Sequence, residues 1–413
     1  MLEDFIIPAA AERLRLSVLG EHVEAFCARL AELGYRPTSI RDKLRTVSVL
    51  ARWIAARGHA ITDLDEAYVA AFLVTRRARG RTGRGLRRTG LVLLEHLRSA
   101  GAIPTPEAAC DESPRAALLA QYAVYLRQER AVTEGTISAY VSIAHTFVSE
   151  RLPEAGARPA SLDADDVHEF LLALVRRVAP KRAQYVGSAL RSFLRFLFAR
   201  GETAMDLALA VLTVRQRRWS GVPRHMPPQD VERLLRSCDR SSAMGRRNHA
   251  ILLLLARLGL RASEVVALEL GDLRWREGEM VVRGKGLIRD RLPLLPDVGE
   301  ALALYLKTDR PAGASRRVFL CRRAPYRGLG HPSTVSTIVM RALGRAGLAP
   351  ATRGAHLLRH SLATAMVRRG ASLAEIGQVL RHRSPNTTEI YAKLDFGALR
   401  DIALPWPTPH GAR

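Results

Sequence analysis

A tyrosine near the end of the chain lies in a stretch rich in cations and hydroxyls, from Leu380-Arg381-His382-Arg383 through Thr387-Thr388-Glu389-Ile390 to Tyr391. A phenol with an ordinary pKa of about 10 is only about 0.1% ionised near neutrality. To act as a nucleophile it needs a base or positive charge close by. His382 is one candidate. His356-Leu-Leu-Arg359-His360 offers more, with His356 and Arg359 three residues apart and so on one face of a helix. Arg261 follows Leu258-Gly259-Leu260 and presents a planar fork suited to a phosphate, and Glu264, three residues on, can hold that fork. Lys285 stands between Gly284 and Gly286, in a turn from which its tip could protonate a departing oxygen. A nucleophile, a phosphate clamp and an acid are what phosphodiester cleavage requires. Each residue alone also has an ordinary reading. Arg261–Glu264 fits a structural ion pair, Lys285 an exposed turn, H-x-x-R a chance spacing, and Tyr391 a packed amphipathic side chain.

The composition points to the class of electrophile. Lys and Arg number 64 against 40 Asp and Glu, a net charge of +24 on 413 residues, in a chain that is 47% hydrophobic and 25% charged. An ordinary globular composition with so large a basic excess suits a polyanion, nucleic acid above all. Only five of the basic residues are lysine and 59 are arginine. A coding bias accounts for choosing Arg over Lys, but not for the shortage of acids. Cys27, Cys110, Cys238 and Cys321 are widely separated and form no C-x-x-C pair, so neither a zinc site nor a disulfide framework is indicated. They read as reduced thiols of a cytosolic protein. The first eight residues are acidic and short in apolar length, unlike a secretory signal, and the longest apolar run, Ala250–Ala256, is too short for a bilayer.

The elements that must position these residues come in three groups. Over 12–100, Val23, Phe26, Leu30 and Leu33 mark a first helix, Pro37 opens a second, Asp63 or Asp65 caps a third, and a fourth runs from Leu86 to Leu97 before Gly101. Over 115–201 the plan recurs. Leu64-Asp65, Val69 and Phe72-Leu73 precede Leu162-Asp163, Val167 and Phe170-Leu171 by 98 residues, and Leu94, Leu97 and Gly101 precede Leu194, Leu197 and Gly201 by 100. This reads as two copies of one four-helix module, although any two amphipathic bundles share some of this pattern. A basic, breaker-rich linker follows, with Arg215, Arg217 and Arg218 ahead of Pro223 and Pro227-Pro228. Beyond it the pattern gives helices at 230–238 and 246–258, a β-hairpin with arms at 279–283 and 287–295, and further helices from Gly299.

Read together, the motifs resemble those of the tyrosine recombinase family. That family carries an Arg in L-G-L-R-x-x-E, a Lys in a G-K-G hairpin, H-x-L-R-H, then L-G-H and a tyrosine nine residues after that His. Here these are Leu258–Glu264, Gly284-Lys285-Gly286, His356–His360, Leu380-Arg381-His382 and Tyr391, in order and in register over about 229–400. Arg381 departs from the family's Gly, and local backbone or DNA-contact consequences are expected there. Ile288 stands where many members carry a further lysine.

The resemblance implies a mainly α chain in which helical DNA-binding modules precede an α-rich, mixed α/β catalytic domain with a small antiparallel sheet, the DNA breaking–rejoining fold. The implied organisation is a core-binding SAM-like domain at 109–205, a basic linker at 206–228, the catalytic domain at 229–400 and a tail at 401–413 that packs on a neighbouring protomer. The N-terminal module at 1–101 is more than a minimal member needs, and its Arg76–Arg88 stretch, with seven arginines and no acid, is expected to add DNA or protomer contacts or to be a solvated basic loop. It implies Tyr391 as the nucleophile that forms a 3′-phosphotyrosyl bond, and Arg261 and Arg359 as the phosphate clamp. His356 and His382 would assist, Lys285 would be the general acid, and Glu264 and His360 would support. Arg215, Arg217 and Arg218 would contact DNA. No cofactor or metal is implied. The implied partners are duplex recombination sites, a tetramer that passes through a Holliday junction, and other recombinase subunits or DNA-bending proteins; a membrane is not among them. The implied role is integration or excision of a mobile element, in the cytoplasm and at the nucleoid. A topoisomerase of type IB character shares the chemistry, and a non-catalytic DNA-binding accessory protein shares the charge but leaves the ordered cation set without a purpose.

Overall fold

A computed structural model describes residues 1–78, 85–105, 113–130, 132–152, 158–213, 224–284, 289–312, 315–384 and 387–394. Lys285, Arg215, Arg217, Arg218, Cys110 and the tail from 395 lie outside the described residues. The chain forms two compact units, residues 106–220 and residues 1–105 with 221–413. Three substantial apolar cores form, within 1–105, within 106–220 and within 221–413.

The first core is built by α1 (Pro8–Arg15), α2 (Gly20–Glu32), α3 (Pro37–Ala55), α4 (Glu66–Ala78) and α5 (Leu86–Ser99). Pro at N1 opens α1 and α3, where its missing N–H costs nothing. The second core is built by α6 (Pro114–Gln128), α7 (Glu134–Arg151), α8 (Ala164–Val175) and α9 (Pro180–Ala199). Helix α9 starts six residues before the apolar pattern does, because Pro180 sets its first turn. The segment after it corrects the expected linker boundary. Leu207, Ala208 and Val211 are buried against the second core, and Arg191 donates to the carbonyls of Val211 and Leu212, so residues 206–213 belong to this module.

Several positions of the two modules correspond. A 3-10 turn at Ile61–Asp63 precedes α4, and another at Pro159–Ser161, 98 residues later, precedes α8. Asp65 caps the N–H of Tyr68, and Asp163 caps that of Asp166. Such caps stabilise a helix by about 1 kcal/mol each. The buried stripe Thr89, Gly90, Leu93, Leu94 and Leu97 of α5 recurs 100 residues on as Ala189, Leu190, Phe193, Leu194 and Leu197 of α9. Both helices end at a glycine with φ near +71°, Gly101 and Gly201, a backbone that a Cβ disfavours.

The third core gathers α10 (Pro228–Arg236), α11 (Ala243–Arg257), α12 (Ala262–Ala267), α13 (Pro296–Thr308), α14 (Pro332–Arg345) and α15 (Ala355–Arg368). Helix α11 is buried on all sides from Ala250 to Ala256, which explains its unbroken apolar run. A three-stranded antiparallel sheet, β1 (Leu273–Arg274), β2 (Glu279–Arg283) and β3 (Arg289–Pro293), has β2 at its centre, with Val281 opposite Arg291. Met280, Val281 and Val282 are all buried, so the central strand is continuously apolar while β3 is exposed at Arg289, Arg291 and Pro293. A smaller cluster of Ala363, Val367, Ile376, Leu380 and Tyr391 joins α15 to α16 (Leu373–Val379) and to a 3-10 turn at Glu389–Leu394. No helix among the described residues is long and apolar enough to cross a membrane.

Candidate active site

Arg261 is held by the turn that ends α11. Gly259 has φ +59°, and a Cβ there would lie 2.7 Å from Leu380 Cδ2, so glycine permits the close approach of these two segments. Arg261 then becomes the N-cap of α12, and Glu264 at N3 accepts its backbone N–H at 2.7 Å on Oε2. The other oxygen, Oε1, accepts from Arg261 Nη1 at 2.6 Å. One carboxylate thus caps the helix and anchors the guanidinium. Glu264 is buried while Arg261 keeps a third of its side chain exposed. Burial pushes the Glu264 carboxyl up, but Arg381 and the hydrogen bonds from Arg261 outweigh it and hold the group below the usual carboxylate range. It remains an anion.

Helix α15 presents His356, Arg359 and His360. Arg359 is buried, and its Nη1 and Nη2 donate to the carbonyls of Gly259 and Leu380. A guanidinium has five N–H bonds, so this anchoring leaves three for another acceptor. Burial, with Arg261 and Arg381 adding to it, lowers its pKa to about 10, still well above neutrality. His356 is exposed on the same helix, with ring centroid 6.5 Å from that of His360.

Tyr391 is 1% exposed, and its Oη lies 2.7 Å from His360 Nδ1. Burial raises the phenol to about 12 despite the charge of Arg359, and burial with His356 and Arg359 lowers His360. With its proton on Nε2, a neutral His360 would accept a hydrogen bond from the phenol at Nδ1. His382 bonds through Nδ1 to Thr388 Oγ1 at 2.7 Å, and burial, followed by the charges of Arg359 and Arg261, lowers it to about 4. Arg261, Glu264, Arg359, His360, His382 and Tyr391 are therefore brought together, with His356 at the edge. Asp290 of β3 approaches as well, its Oδ2 3.9 Å from Arg381 Nε.

Two positions have more direct contacts than the spacing suggested. His360, expected only to support, is the partner of the Tyr391 hydroxyl. Arg381, expected to have local backbone or DNA-contact consequences, adopts φ +55° and turns inward, where its Nη2 donates to Glu264 Oε2 at 2.9 Å and its backbone carbonyl accepts from Arg261 Nη2 at 3.2 Å. The signal for Arg381 was an arginine in a slot suited to glycine. Thr388 was not singled out; its one signal was a hydroxyl three residues before Tyr391. No group of three or more His, Cys, Asp or Glu among the described residues gathers as a metal site.

Comparison with known proteins shows which family the chain resembles along its length. Residues 224–397 match the phage integrase family and residues 119–201 match the phage integrase N-terminal SAM-like domain. The chain is 43% identical over 390 residues to y4rA of Sinorhizobium fredii, named as an integrase/recombinase, with 94% of each chain covered. It is 30% identical over 297 residues to the tyrosine recombinase XerD of Listeria monocytogenes, covering 69% of this chain and 96% of XerD. Among solved structures, XerH site-specific recombinase bound to a difH substrate aligns with TM-score 0.55 at 19% identity, over 75% of this chain and 92% of XerH. A lambda integrase dimer bound to a core site aligns with TM-score 0.51 at 17% identity, over 71% of this chain and 98% of that one.

Proposed function

The chain belongs to the phage integrase family of tyrosine recombinases, and from that premise we propose that it cuts and rejoins duplex DNA with Tyr391 as the nucleophile. The observation that carries this reading is the 2.7 Å hydrogen bond between Tyr391 and His360, one residue after an arginine whose fork is fixed in the same knot.

In this mechanism Arg261 and Arg359 bind the non-bridging oxygens of the scissile phosphate, with Glu264 and three backbone carbonyls fixing their orientation. The Tyr391 oxygen attacks phosphorus while its proton passes to a neighbouring base. The bond from phosphorus to the 5′ oxygen breaks, and that oxygen takes a proton from the general acid, Lys285. A 3′-phosphotyrosyl bond and a free 5′ hydroxyl result. Attack by a 5′ hydroxyl reverses the step and regenerates Tyr391, so the bond energy is retained and no nucleotide is consumed. His356 and His382 assist at the phosphate. The buried phenol, raised to about 12, and the anchored Arg359 describe a resting site. A phosphate drawn to the arginines supplies the reason for Tyr391 to leave His360.

The finer reading is site-specific exchange between two duplexes held by four protomers, through a Holliday junction, in the integration or excision of a mobile element. The second module, extended to residue 213, and the catalytic domain would each contact DNA, with Arg215, Arg217 and Arg218 contacting the backbone. The test is a suicide substrate nicked beside the cleavage site. Wild-type protein is expected to form a covalent adduct that Tyr391→Phe loses. Equal adduct from both proteins overturns the assignment.

A further inference from the structure

The segment 1–105 lies outside both family matches. Its helix order, caps and buried positions nonetheless follow those of the SAM-like module, as described above. The register extends to α3 and α7, where buried Ile40, Val47, Leu50 and Ala51 precede buried Ile137, Ala144, Phe147 and Val148 by 97 residues. The charge of the segment is divided. Residues 1–35 hold six acids and three basic residues, a net of −3, whereas residues 36–88 hold thirteen basic residues and four acids, a net of +9.

On α3 the solvent face opposite the core carries Arg41, Arg45, Ser48 and Arg52, which fall within about 60° of one another at 3.6 residues per turn. All three arginines are exposed, Arg45 at 70%. Arg41 Nε donates to the Phe5 carbonyl at 2.9 Å, and Arg45 lies 3.7 Å from Asp42, an exposed pair of the kind that contributes little. The matching face of α7 carries Ser138, Ser142, His145 and Ser149. Neither set of four positions contains an acid, exposed Asp42 flanking the α3 stripe, and each offers a hydrogen-bond donor at every position. The α3 stripe runs about 16 Å along the helix, enough to follow several phosphates of a duplex that carries a charge every ~1.7 Å of its axis.

We infer that residues 1–105 are a second copy of the SAM-like module, and that the Arg41–Arg45–Ser48–Arg52 face of α3 binds the backbone of duplex DNA outside the catalytic site. The inference rests on the recombinase reading only in naming DNA as the polyanion. A contact of this kind extends the length of duplex that each protomer covers and adds to affinity without reading sequence.

The test uses the full chain and a 60-base-pair duplex of arbitrary sequence, with affinity measured from 50 to 200 mM salt. Arg41 is left in place because of its bond to Phe5. Losing two phosphate contacts in R45Q/R52Q is expected to make the salt dependence shallower by about 1.8 in the log–log slope, so that wild type loses about 12-fold more affinity than the variant across that range. The control R13Q/R29Q removes the same charge from α1 and α2 and is expected to keep the wild-type slope. A wild-type slope in R45Q/R52Q, or equal changes in both variants, overturns the inference, as does a change in self-association at unchanged slope, which would make this face a protomer contact. Adduct formation on the nicked substrate keeps the two readings apart. An unchanged slope with normal adduct sinks only the α3 contact, whereas a wild type that forms no adduct sinks the recombinase reading.

Discussion

Replacing Arg381 with glycine restores the residue type that its backbone prefers and removes a cation from the core of the site. Relief of the left-handed conformation stabilises the variant by about 1 kcal/mol. Against that, Arg381 and Glu264 are 6% and 2% exposed and 2.9 Å apart, and breaking a buried pair from one side costs about 3–5 kcal/mol. Glu264 keeps both bonds from Arg261, so the lower end applies and the net loss is about 2 kcal/mol. Hydrogen exchange of the α12 and α15 amides reads that loss locally, as exchange about 30-fold faster where opening governs it. The pH dependence carries the same signature. The Glu264 carboxyl is held low in the folded state, so its contribution is present above the unfolded pKa and is lost as pH falls through the folded value. Without Arg381 the folded value moves up, and the loss on acidification begins at higher pH. An R381G protein with wild-type protection and an unmoved acid limb would refute the argument that this pair supports Arg261.

Two further outcomes follow from the same geometry. In H360F the buried Tyr391 hydroxyl loses its partner, at a cost of about 1–3 kcal/mol. The double variant H360F/Y391F should be less destabilised than the sum of the single changes, and additive values in denaturant titrations would contradict the Tyr391–His360 bond. His382, lowered to about 4, is neutral in the folded state at pH values where the unfolded chain binds a proton. Stability should therefore fall as pH is lowered from about 6.5 toward about 4. H382N should flatten that limb, and an unchanged limb would count against a buried neutral His382.

What the sequence disclosed was periodic or local. The helices carrying Val69–Phe72 and Val167–Phe170 were legible because caps and apolar spacing lie within one element, and the β2–β3 hairpin because its glycines flank its turn. Strand β1 was not legible, since two residues, Leu273 and Arg274, carry no period and exist as a strand only by pairing with β2. The end of the second module was also misplaced. Leu207, Ala208 and Val211 are too few to show a face until α9 supplies the surface that buries them. Motif order selected the candidate residues, but spacing along the chain does not reveal which atom meets which. His360 and Tyr391 are 31 residues apart, and Arg381 and Glu264 are 117 apart. Their pairing arises from packing α15 and α16 against the turn that follows α11.

The identity of the residue that holds DNA is the most direct test of the account. Wild-type adduct trapped on a nicked duplex is digested with nuclease and trypsin, and the modified peptide is sequenced by mass spectrometry. The account predicts a phosphotyrosyl bond at Tyr391, within the peptide Ser384–Lys393. A nucleotide attached instead to any other side chain, or a trapped adduct whose Ser384–Lys393 peptide is unmodified, would contradict it.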